Sequence, residues 1–386
     1  MFDDDVRFLT APALRDGDDE VFVRPQDAGT SASVYEHAAR AVDRSLTVGA
    51  HGLPLMGVGD WNDGMNRVGR GGRGESVWMA FFLVATIDAF LPHVEVRGDD
   101  ARAERYRQHR ASLVAAANDA GWDGAWYRRA FYDSGAVLGS AASDECQIDA
   151  LAQAWAVLSG VAPSDRAGQA LDALEGQLVD EEAGIIRLLD PPFDATPHDP
   201  GYIKGYVPGV RENGGQYTHA ALWAVRALAQ AGRCERAAPL LAMLSPVDHT
   251  GSPEAVRRYK TEPYVVAADV YGVEPHVGRG GWTWYTGSAG WMWRVAVESV
   301  LGVGVEGGHT LTLAPCVPAA WPRFSVVYRL PDGSGTVYRV EVARGEAPSL
   351  TVDGQPLDVG GGRARVPIVR DGAEHDVRLV LGLGGV

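Results

Sequence analysis

Residues 147–160 read QIDALAQAWAVLSG, and residues 217–232 read YTHAALWAVRALAQAG. Both stretches are apolar nearly all round. Both end on glycine, Gly160 and Gly232, the residue best suited to the left-handed position just past a helix. A helix that is apolar on every side is buried on most of them, so these two need other helices packed around them. Helical periodicity recurs over 33–47, 75–92, 101–119, 165–179, 235–245 and 287–302, with the first two stretches falling in helices over 146–159 and 217–232. The 101–119 segment, ARAERYRQHRASLVAAAND, is charged in its first half and belongs on the outside.

The connections alternate in length. Long ones (48–74, 120–145, 180–216, 246–286) follow every second helix, and short ones (93–100, 160–164, 233–234) lie between. In an array of antiparallel helices, every second connection lies at the same end. All four long loops therefore share one face, and loops beyond about 15 residues are uncommon unless they carry function. These loops hold Trp61, Trp122, Trp126, Trp282 and Trp284. Helix pairs of this kind predict a mainly α fold, an (α/α)6-type toroid. Such a ring has more helices than the eight read here, so it is expected to be incomplete at its N-terminal end. Residues 1–30 show no helix and read as an extended lead-in, leaving 31–303 as the helical catalytic region. From 304 to 386 the runs are short and alternating, bounded by PDG, DGQ and GGG turns. They predict a small all-β domain of about six strands.

Composition excludes several classes. Acidic residues outnumber basic ones 50 to 35, a formal charge of −15. Nucleic acid and anionic membrane, which reward clustered positive charge, are not expected partners. The three cysteines are far apart with no C-x-x-C pair, so neither a disulfide framework nor a cysteine zinc site is expected. A reducing, cytoplasmic setting is the simpler reading. No run of about 18 apolar residues predicts a spanning helix, and MFDDDVRF lacks the apolar core of a secretory signal. No metal or bound organic cofactor is expected.

Four loop motifs carry the chemistry. The first is GVGDWNDGMNRVGRGGRGESVW, residues 57–78. Asp60, Trp61, Asn62 and Asp63 offer carboxylates, an amide and a stacking plane to a polyhydroxylated ligand, although Asp and Asn capping a turn would give the same letters. Gly69, Gly71 and Gly74 spell G-x-G-x-x-G, but no strand precedes them, so a dinucleotide site is discounted. Arg67, Arg70 and Arg73 gather positive charge where an anion is the natural guest. The second motif is ASDECQIDALAQAW, in which Asp144 reads as a helix cap and Glu145 or Gln147 as facing a ligand. The third, KGYVPGVRENGGQYTHAALW (204–223), brings Arg211, Glu212, Asn213, Gln216, Tyr217 and His219 to the start of an apolar helix, where free amides attract anions. The fourth is GRGGWTWYTGSAGW (278–291). Trp282, Trp284 and Tyr285 there precede Thr286, Gly287 and Ser288, a second anion cradle. Lys260 and Glu262 lie just upstream.

Stacking aromatics, carboxylates and two anion cradles fit a carbohydrate enzyme that also binds an inorganic anion such as phosphate. A phosphorolytic enzyme needs only an acid, because phosphate itself attacks. A hydrolase needs a second carboxylate as base, about 6.5–9.5 Å away if it inverts, and Glu75, Glu145, Glu212 or Glu262 could serve. A third reading is a non-catalytic glucan-binding or length-control module.

The stretches GLPLMGVGDWNDGMNRVG, GRGESVW, VRENGGQYTHAALW, EPYVVAADVY and GGWTWYTGSAGWM resemble glycoside hydrolase family 94, formerly glycosyltransferase family 36, over about residues 30 to 330. Their wording is nearest to its cyclic β-1,2-glucan synthase and β-1,2-oligoglucan phosphorylase branch. The resemblance implies the latter part of an (α/α)6 barrel followed by a β domain. It implies inverting phosphorolysis, or the reverse transfer, of β-glucosides such as β-1,2-glucan oligosaccharides, giving α-glucose 1-phosphate. It also implies Asp63 as general acid and Trp61 lining the donor sugar. Phosphate, a co-substrate, would lie on His219, Thr286 and Gly287, with Arg73 a further candidate. The family's donor-side Arg and Asp from earlier barrel helices have no match before residue 30. A partner chain or a longer parent protein with the missing upstream barrel half could supply them; separately, the resemblance implies a homodimer.

Overall fold

The computed structural model describes residues 2–10, 24–359 and 363–382. Among the described residues there are nine α-helices: α1 (Val34–Arg44), α2 (Val77–Val96), α3 (Asp100–Asp119), α4 (Ala150–Leu158), α5 (Ser164–Leu178), α6 (Thr218–Gln230), α7 (Cys234–Met243), α8 (Pro253–Tyr259) and α9 (Thr286–Arg294). Helices α2, α4, α6 and α9 pack side by side in one row, α2 on α4, α4 on α6 and α6 on α9. Each of the first three carries its successor on its outer side, α2·α3, α4·α5 and α6·α7. The two helices that read as apolar all round, α4 and α6, sit mid-row. Ala150 to Val157 are all buried, as are ten residues of α6. In α3 only Ala103, Tyr106, Leu113 and Ala117 are buried, and Arg102 faces outward to Glu36, Asp43 and Asp99.

The row helices are entered from the long loops, and those loops are tied to one another at their roots. Glu75–Ser76, just before α2, pairs with Ala130–Phe131. Ile148–Asp149, just before α4, pairs with Leu189–Asp190, and Gln216–Tyr217, just before α6, pairs with Asp269–Val270. Each two-residue ladder joins one long loop to the next.

Several expectations need correcting. The long loop 246–286 contains α8, which is too short and too charged for periodicity to reveal. The last helix changes at Val295 into a π-turn, Val295–Val300, the wider winding that accommodates an extra residue. Helix α2 is long and apolar enough to cross a membrane by length and composition, contrary to the expectation of no such segment. It is apolar because it packs against both α3 and α4. Asp5–Thr10 and Gln26–Ser33, within and just beyond the expected lead-in, form an antiparallel pair. The rest of that lead-in, residues 11–23, lies outside the described residues.

The C-terminal part has its own core of Leu311, Leu313, Tyr338, Val340, Val342, Leu350, Val366, Val377 and Leu379. Among the described residues eight strands, not about six, build it. Val303–Glu306, Thr310–Leu313 and Ala364–Pro367 form one antiparallel sheet. The other runs Arg323–Arg329, Val337–Gly345, Glu374–Gly382, Ser349–Val352, Gln355–Leu357 in spatial order. The SLTVDGQPLDVG run is two strands, because Asp353 and Gly354 turn with positive φ between them. Cys234 and Cys316 form a disulfide 82 residues apart in sequence, which overturns the expectation of unpaired cysteines. Cys234 opens α7 and Cys316 enters the β part, and folding brings their Cα atoms to 4.7 Å. Sequence spacing carries no trace of that proximity.

Candidate active site

The D-W-N-D corner is built on a buried ion cluster. Arg129, which has no solvent exposure, donates to both oxygens of Asp60 at 2.6 Å and from Nε to Asp149 at 3.1 Å. Ser76 Oγ donates to Asp60 at 2.7 Å, and the Asn62 amide donates to it at 3.0 Å. Burial pushes the Asp149 carboxyl up, with Arg129 pulling against it. Both Asp60 oxygens are thus engaged within the scaffold. A charge buried this deeply persists only when paired and hydrogen-bonded; Trp61 beside it is half-buried against the core, and Asp63 is exposed.

Other expected ligand residues are also committed to the scaffold. Glu75 is buried and accepts the amides of His51 and Leu53. Glu145 accepts the amides of Asp194 and Ala195, and Gln147 donates to the Ser143 carbonyl. Gln216 is buried between the Ile186 amide and the Thr218 hydroxyl. The cap of α4 is Asp149, not Asp144. In the 69–74 turn the amides of Gly71, Arg73 and Gly74 all donate to Asp133 at 2.5–2.8 Å. The anion this nest was expected to take is the protein's own carboxylate; against burial, which alone would raise its pKa, the three amides hold it below the ordinary value. Arg67 pairs with Asp199.

The remaining motif residues converge. Asn62 is buried and caps the turn Asp63–Met65 through the Gly64 amide, and its Nδ2 has no hydrogen-bond partner among the described residues. Asp63 itself is exposed. Burial, and then a hydrogen bond to Asp63, hold the Tyr202 hydroxyl well above its ordinary value. Tyr202 lies edge-on to Tyr206 at 6.1 Å. The Arg211 guanidinium stands 5.1 Å from the Tyr206 ring and 5.8 Å from the Trp282 ring. Arg211 Nε donates to Glu212 at 3.2 Å. Trp61 meets Tyr217 edge-on at 5.3 Å and His219 at 5.6 Å. Burial, reinforced by Glu212, pushes the Tyr217 hydroxyl up to about 12.

His219 lies in the first turn of α6, which has no side-chain cap. Trp223 and Trp291 flank it at 4.3 and 5.9 Å, and its Nε2 is buried without a hydrogen-bond partner among the described residues. Burial holds its pKa down to about 4, so the ring is neutral at pH 7. One ring nitrogen then donates and the other accepts.

Trp282 and Trp284 form an exposed rim, 59 % and 66 % accessible. Trp284 Nε1 donates to Glu262 at 3.2 Å. Lys260 is exposed in the left-handed cap of α8. Thr286 and Gly287 open α9, whose cap residue Tyr285 makes no side-chain bond, so the first amides of that helix remain available. Sequence reasoning missed Tyr202, Tyr206, Trp291 and the buried Asp269. Only the i, i+4 tyrosine spacing in 202–206 could have pointed to any of them. A groove of about 910 Å³ lies elsewhere, between the far ends of α6 and α9 and the β part. Its Arg294, Arg344 and Arg363 are already paired within the protein.

Residues 3–302 match the sequence family described as the glycosyl hydrolase 94 superfamily, catalytic domain. The chain is 49% identical over 340 residues to the cyclic beta-(1,2)-glucan synthase NdvB of Rhizobium meliloti (strain 1021), covering 88% of this chain and 12% of that protein. It is 34% identical over 359 residues to the 3-O-beta-D-glucopyranosyl-beta-D-glucuronide phosphorylase of Paenibacillus borealis, covering 90% of this chain and 45% of that one. It thus spans less than half the length of either relative. Among solved structures a sialidase superposes with a TM-score of 0.54 at 13% identity, over 77% of this chain and 26% of the sialidase.

Proposed function

The chain belongs to the glycosyl hydrolase 94 superfamily, and on that premise we propose that it performs inverting phosphorolysis of β-glucosides, β-1,2-glucan oligosaccharides first among them. A phosphate oxygen attacks the anomeric carbon from the face opposite the leaving oxygen. The glycosidic C–O bond breaks, and Asp63 delivers a proton to the departing oxygen. The product is α-glucose 1-phosphate, with configuration inverted. Tyr202 orients the Asp63 carboxyl through their hydrogen bond. Neutral His219 donates a ring N–H to phosphate, and the open amides at Thr286 and Gly287 receive its charge. Trp61 and Tyr217 offer the sugar its apolar walls, and Arg211 with Glu212 hold its hydroxyls. On this reading the helix row belongs to an α/α toroid.

One observation carries this reading. Trp61, two residues before the exposed Asp63, stands 5.6 Å from the His219 ring, which brings the imidazole against the loop that carries the carboxyl. Hydrolysis is less favoured, because each glutamate that could activate water is already engaged. Glu75 and Glu145 accept backbone amides, Glu212 pairs with Arg211, and Glu262 holds Trp284. The test is incubation with phosphate and β-1,2- or β-1,4-gluco-oligosaccharides, with assay of glucose 1-phosphate. Asp63→Asn should lower the rate by roughly 10²–10⁴-fold. Phosphorolysis at near-parental speed in that variant would remove Asp63 as the acid. Glucan binding with no turnover in either protein would favour the length-control reading instead.

A further inference from the structure

Asp269 stands at the seam of the site-face loops, and no role described so far uses it. Its strand pairs with Gln216–Tyr217, placing it opposite Tyr217 just before α6. The backbone on either side is bonded both ways. The Thr218 amide donates to the Ala268 carbonyl at 2.8 Å, the Ala268 amide to Trp282 at 2.7 Å, and the Gly281 amide to Asp269 at 2.8 Å. The side chain is 1% exposed. Its Oδ1 accepts the Trp282 amide at 3.1 Å. The Arg211 amide approaches the same carboxyl group, yet Oδ2 completes no hydrogen bond among the described residues.

Two backbone features fit this carboxyl. A Cβ on Gly281 would fall 2.3 Å from Oδ1, so only glycine lets the Trp282 loop lie so close. Arg211 takes a left-handed φ of 51°, a conformation a non-glycine residue holds only when its surroundings enforce it. That turn aims its amide toward Asp269. The carboxyl therefore lies between the loop carrying Arg211 and Glu212 and the loop running through Trp282 to Thr286 and Gly287.

We propose that Asp269 is a positioning residue, which sets the separation between the sugar-holding Arg211–Glu212 pair and the phosphate cradle at the start of α9. This rests on the phosphorolytic reading. Its signature is a loss concentrated in phosphate and acceptor affinity, because the groups that touch the reactants remain but stand at the wrong spacing. Displacement by about 1 Å is enough for roughly 100-fold.

The test uses the full chain and its Asp269→Asn, Asp269→Ala and Gly281→Ala variants. Two measurements are made: steady-state phosphorolysis with phosphate varied, and titration of inorganic phosphate against tryptophan fluorescence without glucan. Asp269→Asn keeps the shape but turns a donor toward amide donors. The expected result is a 10- to 100-fold rise in phosphate KM and in the phosphate dissociation constant, with kcat changed less than tenfold and the unfolding midpoint near that of the parent. Gly281→Ala, which pushes the same loop off an intact Asp269, should give the same split. Asp269→Asn that folds and keeps both phosphate constants within twofold overturns the proposal, as does a fall in kcat at constant KM. If Asp269→Ala does not fold, the other two variants decide. A parent protein that neither binds phosphate nor turns over removes the phosphorolytic reading and this inference together. An active parent with an unaltered Asn variant removes this inference alone.

Discussion

Replacing Arg129 with methionine is the sharpest physical test of the D-W-N-D scaffold. The substitution roughly conserves volume and deletes three charge-assisted hydrogen bonds, two to Asp60 and one to Asp149. It strands two carboxylates with no solvent exposure. A stranded aspartate can always escape by taking a proton, which at pH 7 costs about 4 kcal/mol for a group of ordinary pKa. That figure caps the penalty from each carboxyl. It matches the about 3–5 kcal/mol seen when one partner of a buried pair is removed. Asp60 keeps the Ser76 hydroxyl and Asn62 amide, and Asp149 keeps the Leu151 amide. A loss of about 4–5 kcal/mol at pH 7 is therefore expected. The sign with pH follows from the stranded groups. Their pKa values in the folded variant lie above those in the unfolded chain, so the folded form binds protons more tightly. The deficit relative to the parent should shrink as pH falls from 7 to 5, by up to about 1.4 kcal/mol per pH unit for each carboxyl. Urea unfolding of both proteins at pH 7, 6 and 5, followed by tryptophan fluorescence, measures it. A deficit under about 1 kcal/mol at pH 7, well below the range for a broken buried pair, would refute the reasoning. So would a deficit that stays constant with pH.

Two further outcomes concern other parts of the molecule. His219 is held down to about 4 in the folded chain against an ordinary value of about 6.5. Below pH 6.5 the unfolded chain takes up a proton that the folded one refuses, so this group draws stability away as pH falls from about 6.5 towards 4. His219→Gln should flatten the acid side of the stability profile over that window, and an unchanged profile counts against the assignment. The Cys234–Cys316 link closes an 82-residue separation, for which the chain-entropy account gives at most about 4.5 kcal/mol. Cys316→Ser should lower the unfolding midpoint accordingly. Thiol titration of the unreduced, denatured parent should find Cys146 alone, and three reactive thiols would exclude the bond.

What the sequence disclosed was whatever is local. Helices α4 and α6 announce themselves by composition within a single window, and the alternation of loop lengths put Trp61, Tyr217, His219 and Trp282 on one side before any coordinates. What it hid was the division of labour among like residues. Asp60 and Asp63 are three positions apart and read alike, yet one is consumed by Arg129, 69 residues away, and the other is exposed. The turn at 69–74 looked ready for a foreign anion because Asp133, 60 residues on, is invisible from within it. Asp269 lies inside the quoted EPYVVAADVY stretch, yet nothing in its neighbours' letters tells that its carboxyl is buried against the Trp282 loop. Each miss has the same cause: a polar side chain's role is fixed by partners distant in sequence.

The three two-residue ladders that join the loop roots act as a row of stitches. Register is fixed at the base of each loop, immediately before a row helix begins, and the tips beyond the stitch are left free to differ. Exchanging the tip at 69–74 or at 282–284 alters what the face grips and gives up its anchor on Asp133 or Asp269, while the stitch still sets where the helix behind it begins. Removing one residue inside a stitch does the opposite, because side chains alternate along a strand. Asp149 or Tyr217 would then swing to the wrong side, and the neighbouring loop would be dragged with it.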